Sequence, residues 1–392
     1  GRERSTMLIP GLQKRGETKE LPPDQSRPGD RNADLKKSVA FGGSSVVNVE
    51  AVPLEPWTNI RRDHFKTIEA LGHGGYGEVK LVQYSHDGNL YALKSIEKSL
   101  LRDRQHQGDS KVVDTVMAER NFGVLSKDWN CPFIVKLFAT FQSTAKLYYV
   151  LEFCPGGELF SLLCAQECGY FQEVDARFYI GEITLALAHL HEHDVIHRDV
   201  KLENTLIARD GHVKLADFGC VRAELPMTGT QSYVFASTPD IFMPPEFRCG
   251  EVYGKELDCW QLGVASCAMF TGAYPESGTG ALPKLPPQTS PMASCLCSAL
   301  LCDTREGRLG YPEGAGMVRS HDFFNGFDWD GLLCSSISPP FDCQEEPSAE
   351  SGISIMHLRS TRCGTSADLL RLRGFTWAVD PYSREESDVE ED

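Results

Sequence analysis

No stretch of this chain is apolar over the ~18 residues that a membrane-spanning helix requires. The most apolar run, Leu262 to Tyr274, is broken by Ser266, Thr271 and Gly272, so no span is expected. Basic charge is scarce as well: 39 Lys and Arg stand against 55 Asp and Glu, a formal charge of −16 over 392 residues. Binding to a phosphate backbone rests on clustered cations, so nucleic acid is excluded as a general partner, whereas a basic peptide would be attracted. The 14 cysteines include no Cys-x-x-Cys pair, and no histidine stands at finger-like spacing beside Cys164/Cys168 or Cys295/Cys297/Cys302. Neither a zinc site nor a disulfide framework is expected. With no signal-peptide apolar region at the start, reduced thiols and a cytoplasmic setting follow. No internal repeat is found.

The ends lack apolar periodicity too. Residues 1–57 are rich in Gly, Pro and charge and read as a disordered arm. Residues 330–392 read as a largely disordered tail, and six of the eight residues Glu385 to Asp392 are acidic. Between these ends, short β-like runs come first (Val79 to Tyr84, Leu90 to Ile96, Leu147 to Phe153) and helical runs follow. Val174 to His193 carries Phe178, Ile183, Leu187 and Leu190 near one face, and Leu257 to Thr271 is apolar nearly all round, as a helix buried inside a lobe would be. The pattern predicts an α+β, two-lobed protein: a small β-rich lobe over 58–151 and a larger helical lobe over 152–329. A nucleotide could lie between them.

Gly72, Gly74 and Gly77 form a G-x-G-x-x-G, which alone is a weak signal. A dinucleotide fold would need a helix after it. Here a strand-like run, the turn signal Asp87-Gly88 and a second strand-like run follow, so the glycines belong to a β-hairpin whose backbone N–H groups can approach phosphate. On the second strand, Ala92 and Lys94 share a face by the period of two, a small side chain and an ammonium.

The stronger signal is His197-Arg198-Asp199-Val200-Lys201-Leu202-Glu203-Asn204 followed by Asp217-Phe218-Gly219, with the turn signal Asp210-Gly211 between them. A two-residue loop at 210 and 211 sets a register in which Asn204 faces Asp217, roughly 5 Å apart at Cα. An amide oxygen opposite a carboxylate suits Mg²⁺ that also holds phosphate. Asp199 could take a proton from an attacking hydroxyl.

This constellation resembles the eukaryotic protein kinases over about residues 58 to 335. The resemblance implies Mg²⁺ and ATP, and a carry-over of roles. The loop Gly72, His73, Gly74, Gly75, Tyr76, Gly77 to Val79 would cover the ATP phosphates, with Ala92 beside the adenine. Lys94 would hold the α and β phosphates and pair with Glu119, on a helix predicted over Lys111 to Lys127. Asp199 would be the catalytic base, Lys201 would neutralise the transferring phosphate, and Asn204 and Asp217 would bind the metal. Leu151 stands at the gatekeeper position, Glu152 to Cys154 at the hinge, and Glu158 at the mouth of the nucleotide and peptide sites. Lys201, with Thr238 before Pro239, is similar to serine/threonine kinases, and Glu246 would pair with Arg308.

Pro155 to Phe160 and the segment from Gly326 to Phe341 resemble the AGC group, most closely its cGMP-dependent and cAMP-dependent members. Glu158 and Glu203 match carboxylates that hold substrate arginines, so protein substrates with basic residues upstream of Ser or Thr are implied. No regulatory subunit is indicated, and a monomer is expected. Three departures stand out. Val234 occupies the usual activation-loop threonine position; Ala268 replaces a third arginine-binding glutamate; and five prolines and two glycines between Pro275 and Pro291 leave no room for a long helix. The last departure keeps open a rival reading, a catalytically weak pseudokinase scaffold that binds ATP.

Overall fold

The computed structural model describes residues 57, 59–74, 77–108, 112–222, 239–275, 285–287, 289–341 and 375, with backbone alone at 73 and 74. Gly75, Tyr76, the activation-loop positions Val234 and Thr238, most of the arm and most of the tail lie outside the described residues.

Strands β1 (Phe65–Gly74), β2 (Gly77–Tyr84), β3 (Leu90–Glu97), β4 (Leu137–Gln142) and β5 (Lys146–Glu152) form one antiparallel sheet in the order β1-β2-β3-β5-β4. The glycine motif therefore lies at the β1–β2 hairpin, as the strand-like runs predict. At Gly77 a Cβ would come within 1.9 Å of the Ser95 carbonyl oxygen, so close strand packing itself requires glycine there. Helix α1 (Lys98–His106) leads to α2 (Val112–Leu125), which carries Glu119 and lies against the sheet through Val112, Val116 and the Tyr149 hydroxyl, a 2.7 Å donor to the Val116 carbonyl.

The larger lobe is built on α4 (Glu173–Glu192) and α6 (Glu256–Thr271) around one apolar core, with α3 (Leu159–Cys164), α5 (Pro245–Arg248) and α7 (Pro291–Leu300) around them. Fourteen residues of α4 and fifteen of α6 are buried, which explains why α6 reads as apolar nearly all round. After α6 the chain turns through Gly272 at φ 82°, and the described residues hold no helix until Ser290 caps α7, in keeping with the proline content.

Strands β6 (Thr205–Ile207) and β7 (Val213–Leu215) form the hairpin between the His197-to-Asn204 run and Asp217-Phe218-Gly219, but the register differs from the expected one. Thr205 pairs with Leu215 and Ile207 with Val213, and Ala208 accepts the chain back by donating to His212 at 2.8 Å. The loop thus has three residues, with Gly211 in the left-handed region at φ 84° and Asp210 bonding the His212 N–H. A side chain at 211 would also strike the Phe341 carbonyl oxygen. Asn204 consequently faces Ala216, whose N–H bonds the Asn204 carbonyl at 2.8 Å, and Asp217 stands one residue farther on.

Two segments read from composition as arm or tail contain packed residues. Trp57 stacks on Tyr84 with ring centroids 4.5 Å apart, and α8 (Trp329–Leu333) puts Leu332 into the core of the large lobe. Single aromatic or aliphatic anchors in polar surroundings carry no periodicity, which is why composition missed them.

Candidate active site

Lys94 on β3 and Glu119 on α2 meet at 2.8 and 2.9 Å, a bidentate contact between the sheet and the helix. Asp217 lies 3.4 Å from the same ammonium. Burial alone would pull the Lys94 ammonium down, but Asp217 and Glu119 outweigh it and hold the group above the ordinary lysine range. In turn, Lys94 draws the Asp217 carboxyl below the usual range against the effect of burial. Asp217 takes the left-handed conformation, φ 59°, and the following Phe218 stacks on Phe122 of α2 at 4.0 Å. These two features, not strand pairing, turn the Asp217 carboxylate toward Lys94.

On the opposite side, Lys201 reaches Asp199 at 2.7 Å, and the Asn204 amide nitrogen donates to the Asp199 carbonyl and carboxylate at 2.8 and 2.7 Å. Both bonds consume the amide N–H groups of Asn204, so its side-chain oxygen remains the acceptor end. That oxygen and the Asp217 carboxylate are hard donors that fit Mg²⁺ sharing phosphate oxygens. Among the described residues no group of three or more His, Cys, Asp or Glu is placed to hold a metal ion.

Several of the other residues singled out from the sequence lie on the strands beside Lys94. Val79 pairs with Lys94 and Gly72 with Val79, while Ala92 pairs with Leu151 across β3 and β5. Glu152 binds Lys214 at 3.2 Å, and Cys154 is buried, with burial pushing its thiol up to about 12. Glu158 stands before α3. Burial, and then the charge of Glu203, raise its carboxyl. Glu246 and Arg308 form the expected pair, at 2.5 and 3.0 Å, fully inside the large lobe.

Sequence reasoning missed the groups that hold the catalytic loop. Asp258 of α6 accepts the backbone N–H of His197 at 2.8 Å and of Arg198 at 2.7 Å. Gln261, one turn on, bonds the Val200 N–H and the Arg198 carbonyl, both at 2.9 Å. A carboxylate and an amide inside a helix otherwise buried all round are the signal that could have found them. The sequence pattern does not single out Tyr274 either.

A model of the protein kinase domain matches residues 65–324, and the chain belongs to that family. It is 38% identical over 297 residues to human "Ribosomal protein S6 kinase alpha-4", covering 71% of this chain and 37% of that protein. It is 37% identical to "Serine/threonine-protein kinase gad8" of Schizosaccharomyces pombe, covering 80% and 54%, and 35% identical to zebrafish (Danio rerio) "Serine/threonine-protein kinase Sgk1", covering 71% and 64%. The chain thus spans less than two thirds of the length of these relatives. They support the AGC group without singling out its cyclic-nucleotide-dependent members.

Proposed function

We propose that this chain is a serine/threonine protein kinase that transfers the γ-phosphate of ATP to hydroxyl groups of basic peptides. The observation that carries the proposal is the proximity of two linked sets, Lys94 with Glu119 and Asp217, and Asp199 with Lys201 and Asn204, with Lys201 and Asp217 close enough for each charge to act on the other. In this reading Lys94 orients the α and β phosphates and Glu119 keeps its ammonium in place. Asp199 aligns the acceptor hydroxyl and accepts its proton, and Lys201 offsets charge on the transferring group. Asn204 and Asp217 would hold magnesium, which when bound neutralises the phosphate oxygens. The glycine loop from Gly72 to Val79, including His73, Gly75 and Tyr76, covers the phosphates, and Ala92, Leu151, Glu152 and Cys154 frame the base. The hydrogen bonds among Lys94, Glu119, Asp217, Asp199, Lys201 and Asn204 favour this reading over the scaffold alternative.

Glu158 supplies the selection for arginine three residues upstream; Glu203 is the second matching carboxylate, and Ala268 brings none. Activity that requires no phosphate at position 234 suits Val234, which has no hydroxyl, and the partners of Arg198, which include the Cys220 carbonyl at 2.5 Å and the Tyr253 hydroxyl at 2.9 Å. The free thiols of the described cysteines suit a cytoplasmic setting, and among the described residues no helix is long and apolar enough to cross a membrane. The test is a positional scan with radiolabelled ATP on randomised Ser/Thr peptides. Arginine should be selected three residues upstream of the acceptor, and Glu158→Gln should abolish that selection. Label on peptides regardless of upstream charge would refute the basophilic part.

A further inference from the structure

The hydroxyl of Tyr274 meets the catalytic loop at two points. It donates to Glu203 Oε2 at 2.6 Å and accepts the backbone N–H of Leu202 at 3.0 Å. The ring lies parallel to Phe160, 2° between planes at 5.6 Å, and edge-on to Phe242 at 4.9 Å. A ring gripped on two faces, with its oxygen engaged as both donor and acceptor, has little freedom to leave. Burial, and then the charge of Glu203, push the phenol far above its ordinary range, so it stays a proton donor throughout the physiological range.

A guanidinium is held best as a fork, with two parallel N–H groups meeting both oxygens of one carboxylate. At Glu203 one of those oxygens is already taken by the chain's own phenol. No second carboxylate compensates from α6, where the position matching the third arginine-binding glutamate is Ala268, fully buried in the core. Resting on the basophilic kinase reading above, we infer that Tyr274 is a specificity-determining residue. Its hydroxyl caps Glu203 from within, so that this carboxylate does not select a guanidinium two residues upstream of the acceptor. Selection then falls to Glu158, and the substrate class is peptides with arginine three residues upstream and no requirement at the next position.

Tyr274→Phe keeps the ring contacts and removes only the hydroxyl. Fluorescent peptides with alanine at the acceptor position, and arginine or its neutral isostere citrulline at each upstream position, are titrated by anisotropy onto the full chain with magnesium and a non-hydrolysable ATP analogue. In the wild type, replacing arginine by citrulline should weaken binding about tenfold three residues upstream and hardly at all two residues upstream. In Tyr274→Phe the effect two residues upstream should rise to about fivefold or more, and adding Glu203→Gln should remove it. Three results would overturn the inference alone: an unchanged ratio in Tyr274→Phe, a strong ratio already present in the wild type, or a gain that survives Glu203→Gln. Loss of discrimination three residues upstream, or failure of all the peptides to bind, would overturn the basophilic reading and this inference with it.

Discussion

Lys94 holds two carboxylates from distant parts of the chain, Glu119 and Asp217, and its removal should cost chemistry first. Lys94→Met, Asp199→Asn and Asp217→Asn are each expected to lower kcat by about a hundredfold or more, since each deletes charge compensation or proton acceptance from a packed site. Circular dichroism should show the fold retained in each variant, with the largest drop in melting temperature for Lys94→Met, which leaves the buried Glu119 without its cation. Wild-type-like turnover in Asp217→Asn would remove the magnesium assignment. These residues were legible because their types are chemically unusual at close spacing. What aims them was not legible: the left-handed backbone at Asp217, the Phe218–Phe122 stack, and Asp258 beneath the loop all depend on tertiary contacts.

Two histidines give opposite pH signatures. His197 Nδ1 accepts the Asp199 N–H at 3.3 Å while Nε2 faces the Ala216 carbonyl at 3.2 Å, a pattern that only a neutral ring with its proton on Nε2 can satisfy. Burial lowers its pKa below the ordinary 6.5. Its unfolded form therefore takes up a proton first, and the folded state loses stability as pH falls below about 6.5. For His212 the bond to Glu182 outweighs burial and raises the pKa above 6.5. That contribution is full below about 6.5 and is lost as pH rises through the folded value. Histidine NMR should find the His197 midpoint below 6.5 and the His212 midpoint above it; the reverse order would contradict both assignments.

At the scale of elements, α2 is the part whose placement decides whether Glu119 can reach Lys94. Phe375 is fully buried against it: its ring meets Tyr149 edge-on at 5.3 Å, its carbonyl accepts the Thr140 hydroxyl at 2.7 Å, and Val112 and Val116 of α2 line the same cluster. Phe375→Ala should therefore lower kcat/KM severalfold by loosening α2, with a smaller fall when the Lys94–Glu119 pair is already broken by Glu119→Gln. Equal fractional losses in both backgrounds would show that Phe375 acts elsewhere. In the large lobe, Arg308→Ala would leave Glu246 charged and buried, an expected loss of about 3–5 kcal/mol measured by chemical denaturation. Helices α4 and α6 and the strand order of motifs were readable from period alone. The β6–β7 register was not, because Asp210-Gly211 fits a two-residue loop and a three-residue loop equally well, and the choice rests on the bond from Asp210 to His212 and on Phe341 crossing over Gly211.

For the whole molecule, the formal charge of −16 favours encounter with basic peptides at long range. Raising ionic strength should lower kcat/KM for an arginine-containing peptide while leaving the rate at saturation little changed. The central claim is phosphotransfer itself, and its most direct measurement is transfer of label from γ-³²P-ATP to a Ser/Thr peptide library with and without Mg²⁺, wild type beside Asp199→Asn. The expected result is Mg²⁺-dependent label on peptide hydroxyls with the wild type and at least about a hundredfold less with the variant. Mg²⁺-dependent stabilisation by ATP with no label above the Asp199→Asn background would contradict the account and leave an ATP-binding scaffold in its place.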